Sequence, residues 1–91
     1  MARSDEIGQK IDDLVGDCRT IERDIKQKQQ RLVDIESAIG GSAGGDIDRL
    51  EEMHAAIERE IDDSYDNLRK AKDELIELHK EFAEAREEEG Q

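Results

Sequence analysis

The sequence predicts an all-α fold, an antiparallel two-helix coiled-coil hairpin that associates further into a four-helix bundle. Two observations predict the hairpin: two segments with apolar residues every three or four positions, and a glycine-rich stretch between them. Of the 91 residues, 44% are charged and 2% are aromatic. Such a composition is typical of disordered chains, but the regular apolar spacing indicates ordered helices whose outer faces carry the charge.

The first helix is predicted over residues 5–39. Ser4 is its candidate N-cap, and Asp5 and Glu6 follow where the positive end of the helix dipole favours acidic side chains. Steps of four and three residues alternate along its apolar positions, and Lys28 is the one exception in the series. This spacing is that of a coiled-coil seam. The apolar positions are Ile7, Ile11, Leu14, Cys18, Ile21, Ile25, Leu32, Ile35 and Ile39.

A glycine-rich turn is predicted over residues 40–45, directly after Ile39. Four of its six residues are glycine, and each glycine disfavours a helix by about 1 kcal/mol relative to alanine. Gly40, followed by Gly41, stands where a left-handed residue commonly ends a helix. A short turn of this kind returns the second helix antiparallel to the first.

The second helix is predicted over residues 46–88, with Asp46 as its cap and an acidic tail to residue 91. His54 and Ser64 interrupt its seam. The series reads Ile47, Leu50, His54, Ile57, Ile61, Ser64, Leu68, Ala71, Leu75, Leu78, Phe82 and Ala85.

The predicted pairing leaves the end of the second helix without an intramolecular partner. If the turn is centred near residue 43, Ile25 lies opposite Ile61 and Ile7 lies opposite His79. Residues 80–91 then extend beyond the first helix. We therefore expect this overhang to bind a partner protein. The candidate partner-binding residues are Leu78, Phe82, Ala85, Arg86 and Glu87.

Three polar residues lie at seam positions: Lys28, His54 and Ser64. His54 is expected to select the register or the partner, and the small Ser64 is expected to leave room for another helix to approach. Asp24 precedes Lys28 by four residues, a spacing that favours an ion pair. Burial beside apolar neighbours is expected to disfavour the charged form of His54 and to make it mildly sensitive to pH. Cys18 is expected to be a buried thiol, with an inter-chain disulfide as the alternative if two copies meet there.

The residues indicate no catalytic, metal or cofactor site. Adjacent carboxylates such as Asp12 and Asp13 point about 100° apart on a helix, and the two histidines, His54 and His79, lack metal-ligand spacing. An excess of 26 acidic over 14 basic residues disfavours nucleic-acid binding. No apolar run approaches the ~20 residues of a membrane span, and no signal peptide is recognisable. We expect a non-enzymatic protein that is cytoplasmic at synthesis.

The acidic residues are concentrated in the second half of the chain. Residues 1–45 carry 7 basic and 9 acidic side chains, whereas residues 46–91 carry 7 basic and 17 acidic ones. This asymmetry favours the second helix as the place where a partner binds.

The layout of two helices around a central turn resembles the WXG-motif, ESAT-like proteins of type VII secretion, and the small helical partners that escort toxins to the same apparatus. The turn Ile39-Gly40-Gly41-Ser42-Ala43-Gly44 is similar to the family's turn, with Ile39 at the Trp position. Phe82-Ala83-Glu84-Ala85-Arg86, followed by Glu87, is similar to its C-terminal export signal. The resemblance implies an adaptor that is exported without a cleavable signal peptide.

Two other classes of function fit the same residues. A cytosolic coiled-coil connector or assembly subunit would use the seam and nothing at the C-terminus. An acidic inhibitor or antitoxin would cover a basic surface with its second helix. In every case the expected partner is a protein, either a second copy of this chain or another helical hairpin.

Overall fold

The computed structural model describes residues 2–41 and 44–90 and consists there of two α-helices. Helix α1 is Arg3–Gly41 and helix α2 is Gly45–Glu89. The predicted all-α helical hairpin is therefore confirmed. Helix α1 extends two residues beyond the expected bounds at each end, and α2 extends one residue at each end.

Two compact units make up the hairpin, and each contains a segment of both helices. We call them the terminal unit (Met1–Ile21 with Asn67–Gln91) and the turn unit (Glu22–Asp66). The core residues of both units lie at the predicted seam positions. They are Ile7, Cys18, Leu68, Ala71 and Ala85 in the terminal unit, and Ile25, Ile35, Ile57, Ile61 and the polar Ser64 in the turn unit.

The helix boundaries at the turn differ from the expectation. Gly40 and Gly41 belong to α1, and the left-handed residue is Gly44, with a φ of 78°. The carbonyl of Gly44 accepts a hydrogen bond from the N–H of Ile47 at 3.3 Å, which starts α2. Asp46 consequently lies inside the first turn of α2 instead of capping it. The remaining turn residues of the sequence prediction, 42 and 43, lie outside the described residues.

The expected N-cap of α1 is also displaced. Ser4 lies within the first turn of the helix, and the carbonyl of Ala2 accepts the N–H of Asp5 at 3.1 Å. Ser4 is buried, and its own N–H is directed at a carboxylate from α2. A tertiary contact therefore replaces the local cap that the sequence predicted.

The predicted overhang at the C-terminus is wrong. Residues 80–91 were expected to extend beyond the first helix without a partner, but Glu89 contacts Ser4. Helical side chains lean towards the N-terminus of their own helix, so in an antiparallel pair the tips meet about one residue later on each helix than the backbones do. This offset accounts for about two of the seven positions by which the Ser4–Glu89 contact departs from the expected pairing, and the length of the glutamate side chain adds to it. The last two turns of α2 therefore pair within the chain.

Candidate functional site

The end of the terminal unit is held together by one carboxylate. Glu89 accepts hydrogen bonds from the backbone N–H of Ser4 at 2.9 Å and from the Ser4 hydroxyl at 2.5 Å. Beside it, Arg3 and Glu88 form an exposed ion pair at 3.2 Å. A carboxylate at a helix N-terminus satisfies free N–H groups and complements the helix dipole. We refer to Ser4 and Glu89 as the end clamp.

The end clamp changes the acidity of Glu89. Hydrogen bonds from the Ser4 hydroxyl and then from the Ser4 N–H lower the pKa of this carboxyl below its ordinary value of 4.5, and nearby arginines act in the same direction. In the sequence, four glutamates lie close together near the negative end of the α2 dipole: Glu84, Glu87, Glu88 and Glu89. Such crowding alone would destabilise their charged forms. The N-terminus of α1 removes that conflict by supplying donors.

A groove lies next to the end clamp on one face of the terminal unit. Its volume is about 410 Å³, and Gly8, Ile11, His79 and Phe82 are among its lining residues. A Cβ placed on Gly8 would lie 3.6 Å from Cε2 of Phe82, so the missing side chain leaves one edge of the ring open. The guanidinium of Arg86 lies 5.8 Å from the centroid of the same ring, within range of a cation–π contact.

The five predicted partner-binding residues have different environments. Ala85 is fully buried, with 0% of its surface exposed, so it cannot contact a partner. Leu78 and Phe82 are half-buried in the hairpin. Arg86 and Glu87 are exposed. Of the predicted set, these last two remain fully accessible to another protein.

His54 forms the first of two charged layers in the turn unit. Its Nε2 lies 3.0 Å from Oε1 of Glu36 on α1, and its Nδ1 lies 2.6 Å from Oε1 of Glu58 on α2. The hydrogen bond to Glu36, and then the charges of Glu58 and Glu36, raise the pKa of His54 above 6.5. The expected direction was therefore wrong, because two carboxylates outweigh the effect of burial. The imidazolium, which donates from both nitrogens, fits this layer.

The second charged layer joins Lys28, Asp24 and Ser64. Lys28 Nζ lies 2.8 Å from Oδ2 of Asp24, which confirms the expected i,i+4 pair. The Ser64 hydroxyl, on α2, donates to the same oxygen at 3.4 Å. The hydrogen bond to Asp24 raises the pKa of Lys28 above 10.5. All three predicted polar seam residues thus have partners, and two of the three reach across to the other helix.

Sequence reasoning missed the acidic partners of these layers. Glu36 and Glu58 each lie one position outside the seam, where a repeat of charged residues looks like an ordinary solvated face. Glu89 was assigned to an unpaired tail. The side-chain offset of an antiparallel pair moves contacts in this direction, but the contacts of Glu36 with His54 and of Glu89 with Ser4 depend on a register that the seam spacing does not specify.

Cys18 is a free thiol on the internal seam of the terminal unit, with 6% of its surface exposed. A second copy would reach it only after the two helices separate. The buried thiol is thus the arrangement seen, while the inter-chain disulfide has no accessible sulfur in this structure.

Among the residues that the structure describes, four large apolar side chains are exposed on the outer faces of the helices: Val33, Met53, Tyr65 and Ile76. Ile76 and Val33 are 55% and 53% exposed. The Tyr65 hydroxyl accepts a hydrogen bond from Nε2 of Gln29 at 3.1 Å, but its ring stays half outside. These side chains form the apolar surface that the hairpin leaves uncovered.

Comparison with family models, characterised proteins and solved structures finds no match to this chain. Over the residues that the structure describes, neither helix contains a stretch that is long and apolar enough to cross a membrane. Within residues 2–41 and 44–90, no group of three His, Cys, Asp or Glu side chains is arranged to hold a metal ion.

Proposed function

We propose that this chain is a non-enzymatic protein–protein interaction hairpin that associates with another helical hairpin through its outer faces. The main support for the proposal is the large solvent-accessible area of the chain. The chain exposes 6732 Å², whereas a compact protein of 10.4 kDa is expected to expose about 5,400 Å². A standard interface covers about 800 Å² on each partner.

The position of the exposed apolar residues supports the same proposal. A single exposed leucine or valine is normal on a protein surface. Here four large apolar side chains are exposed on helices that carry mostly charged and polar residues, alanines and glycines outside the seam. Because each helix has only one narrow seam, a third or fourth helix would add apolar contact that two helices cannot provide.

In-cell photo-crosslinking tests this proposal. A photo-reactive amino acid replaces Val33, Met53, Tyr65 or Ile76 singly, and Arg23, exposed and opposite the seam, serves as the matched control. We expect covalent adducts to a protein from one or more apolar positions and none from Arg23. Absence of adducts at all four apolar positions, with the chain folded and present at its natural level, would overturn the proposal.

A type VII export adaptor is the more specific form of this function. It is supported by the two-helix layout and the glycine-rich turn. Arg86 and Glu87 are exposed residues of the C-terminal motif, so an export machinery could contact them. Replacing both with alanine leaves the buried seam intact. Loss of the chain from the culture medium, with normal levels inside the cells, supports export; equal distribution of variant and parent contradicts this role.

A connector or assembly subunit is the alternative form. It depends on the apolar outer faces and not on Arg86 or Glu87. The double alanine variant should then keep every adduct seen in the crosslinking experiment. An acidic inhibitor, in contrast, would lose its partner steeply as salt is added, because its binding would rest on screened charges.

A further inference from the structure

We propose that the partner is a second copy of this chain, and that the terminal unit of one copy docks onto the turn unit of the other in an antiparallel arrangement. This inference rests on the proposed function and deepens it by naming the surfaces and the occupant. Its basis is a difference in charge and apolar exposure between the outer faces.

The faces are defined by the seven-residue coiled-coil repeat, whose positions are lettered a to g. The seam residues occupy positions a and d, so that Ile7 is a d position in α1 and Ile47 is an a position in α2. In an antiparallel pair, positions e and b of both helices share one face and positions g and c share the other. Contacts within each unit agree with this assignment. Gln29 and Tyr65, both at e, are hydrogen-bonded in the turn unit, and Arg3 and Glu88, both at g, are paired in the terminal unit. We call the two surfaces the e-face and the g-face.

The e-face of the terminal unit is apolar and carries a positive excess. Ile76 is 55% exposed there, Val15 is half-buried, and the groove beside Gly8 and Phe82 opens on this face. Four basic residues outnumber two acidic ones, although the whole chain has a net charge of -12. The basic residues are Arg19, Arg69, Lys72 and Arg86, and the acidic ones are Asp5 and Asp12.

The g-face of the same unit has the opposite character. Three basic residues stand against eight acidic ones, and none of the large exposed apolar side chains lies there. The basic residues are Arg3, Lys10 and Lys70; the acidic ones are Glu6, Asp13, Asp17, Glu74, Glu77, Glu81, Glu84 and Glu88. A docking partner with an acidic surface is therefore directed to the e-face.

The e-face of the turn unit has the complementary composition. Val33 and Tyr65 are exposed on it, and one basic residue, Lys26, stands against six acidic ones. Those are Glu22, Glu36, Asp48, Glu51, Glu58 and Asp62. This surface combines an acidic excess with exposed apolar side chains, which are the two properties that the e-face of the terminal unit requires.

The charges also determine the direction of docking. Contact between like units would bring two acidic turn units or two basic terminal units together, which repels. An antiparallel arrangement instead brings the terminal unit of one copy against the turn unit of the other, so that unlike faces meet. The occupant is therefore a second copy in the antiparallel orientation.

Sedimentation equilibrium of the full chain at low ionic strength tests the proposal. We expect a dimer whose dissociation constant rises about tenfold or more when Ile76 is replaced by glutamate, with unchanged helix content by circular dichroism. Asn67→Glu is the matched control, since Asn67 is exposed on the same helix and in the same unit but at a g position; it should leave the constant unchanged. Added salt should weaken the parent dimer.

The orientation is tested on a mixture of isotope-labelled and unlabelled chains with a zero-length crosslinker. We expect mixed-isotope links between Lys72 and acidic residues of the turn unit such as Glu51 or Asp62. Mixed links confined to pairs of terminal units, or a dimer broken by Asn67→Glu, would overturn the proposal. A monomeric parent chain also overturns it. If photo-crosslinks to a different protein persist in that case, the interaction function stands and only the second-copy partner fails.

Discussion

The terminal unit and the turn unit contain the same two helices but hold them together differently. The terminal unit has an apolar seam with the end clamp at its edge, whereas the turn unit has two charged layers inside its seam. Apolar contacts are non-directional and tolerate a shift along the helix. Hydrogen-bonded layers do not tolerate such a shift, because it would leave their polar groups without hydrogen-bond partners. The comparison suggests that the charged layers of the turn unit set the register and that the end clamp of the terminal unit completes the pairing.

The largest expected loss of stability comes from replacing one buried isoleucine in each unit with alanine. Ile7 and Ile25 are 5% and 4% exposed, so alanine at either position should cost about 2–4 kcal/mol of unfolding free energy. Urea unfolding by circular dichroism measures both. Val33→Ala, at an exposed site, should cost less than about 0.5 kcal/mol. A loss at Ile7 as small as that at Val33 would contradict a packed terminal unit.

The next effect is the pH dependence of the turn unit. The pKa of His54 is raised above 6.5 by Glu36 and Glu58, so protonation stabilises the folded state. This stabilisation is complete below pH 6.5 and is lost as the pH rises through the raised pKa. The urea midpoint of the parent chain should therefore fall across that window.

Two variants isolate this contribution. His54→Gln should make the urea midpoint nearly constant between pH 6 and pH 8.5, while His79→Gln, which removes the second histidine, should keep the decline. A decline of unchanged size in His54→Gln would show that another group causes it. The layer of Glu36, His54 and Glu58 would then carry no pH-dependent stability.

The terminal unit should respond to pH in the opposite direction. The pKa of Glu89 is lowered below 4.5 by its hydrogen bonds from Ser4. Its stabilisation is present above pH 4.5 and is lost as the pH falls through the lowered pKa. Amide hydrogen exchange of residues 3–6, corrected for the intrinsic rate, should show loss of protection on acidification. Glu89→Gln should show the loss already at pH 7, whereas Glu87→Gln, at an exposed neighbour, should behave like the parent.

The smallest expected effect concerns two glycines of α1. Gly8→Ala places a methyl group 3.6 Å from the Phe82 ring, and Gly16→Ala places one in open space. Alanine is favoured over glycine in a helix by about 1 kcal/mol, so both variants should raise the melting temperature. The added contact should make the increase at Gly8 the larger one. A decrease at Gly8 would show that the groove cannot accept a side chain.

The periodicity of apolar residues was sufficient to predict both helices and every buried apolar position, because a coiled-coil seam is a one-dimensional pattern. It was not sufficient for contacts that depend on the pairing of α1 with α2. Ser4 looked like a local cap, and its actual partner is 85 positions away. The surroundings of His54 looked apolar because Glu36, its partner on α1, is 18 positions away in the sequence. Both contacts depend on the register between the two helices, which the spacing within either helix does not specify.

The end clamp also places the two extremities of the described chain side by side. The same carboxylate that belongs to residue 89 touches the backbone of residue 4, so a few added residues would suffice to join them covalently. A short linker between these two ends would cost little conformational entropy to close, because the closure cost of a flexible loop grows with its length. The chain could then be opened between Gly41 and Gly44 to give a permuted protein in which α2 precedes α1. Such a permutant would keep every contact of the terminal unit while exchanging which helix is synthesised first.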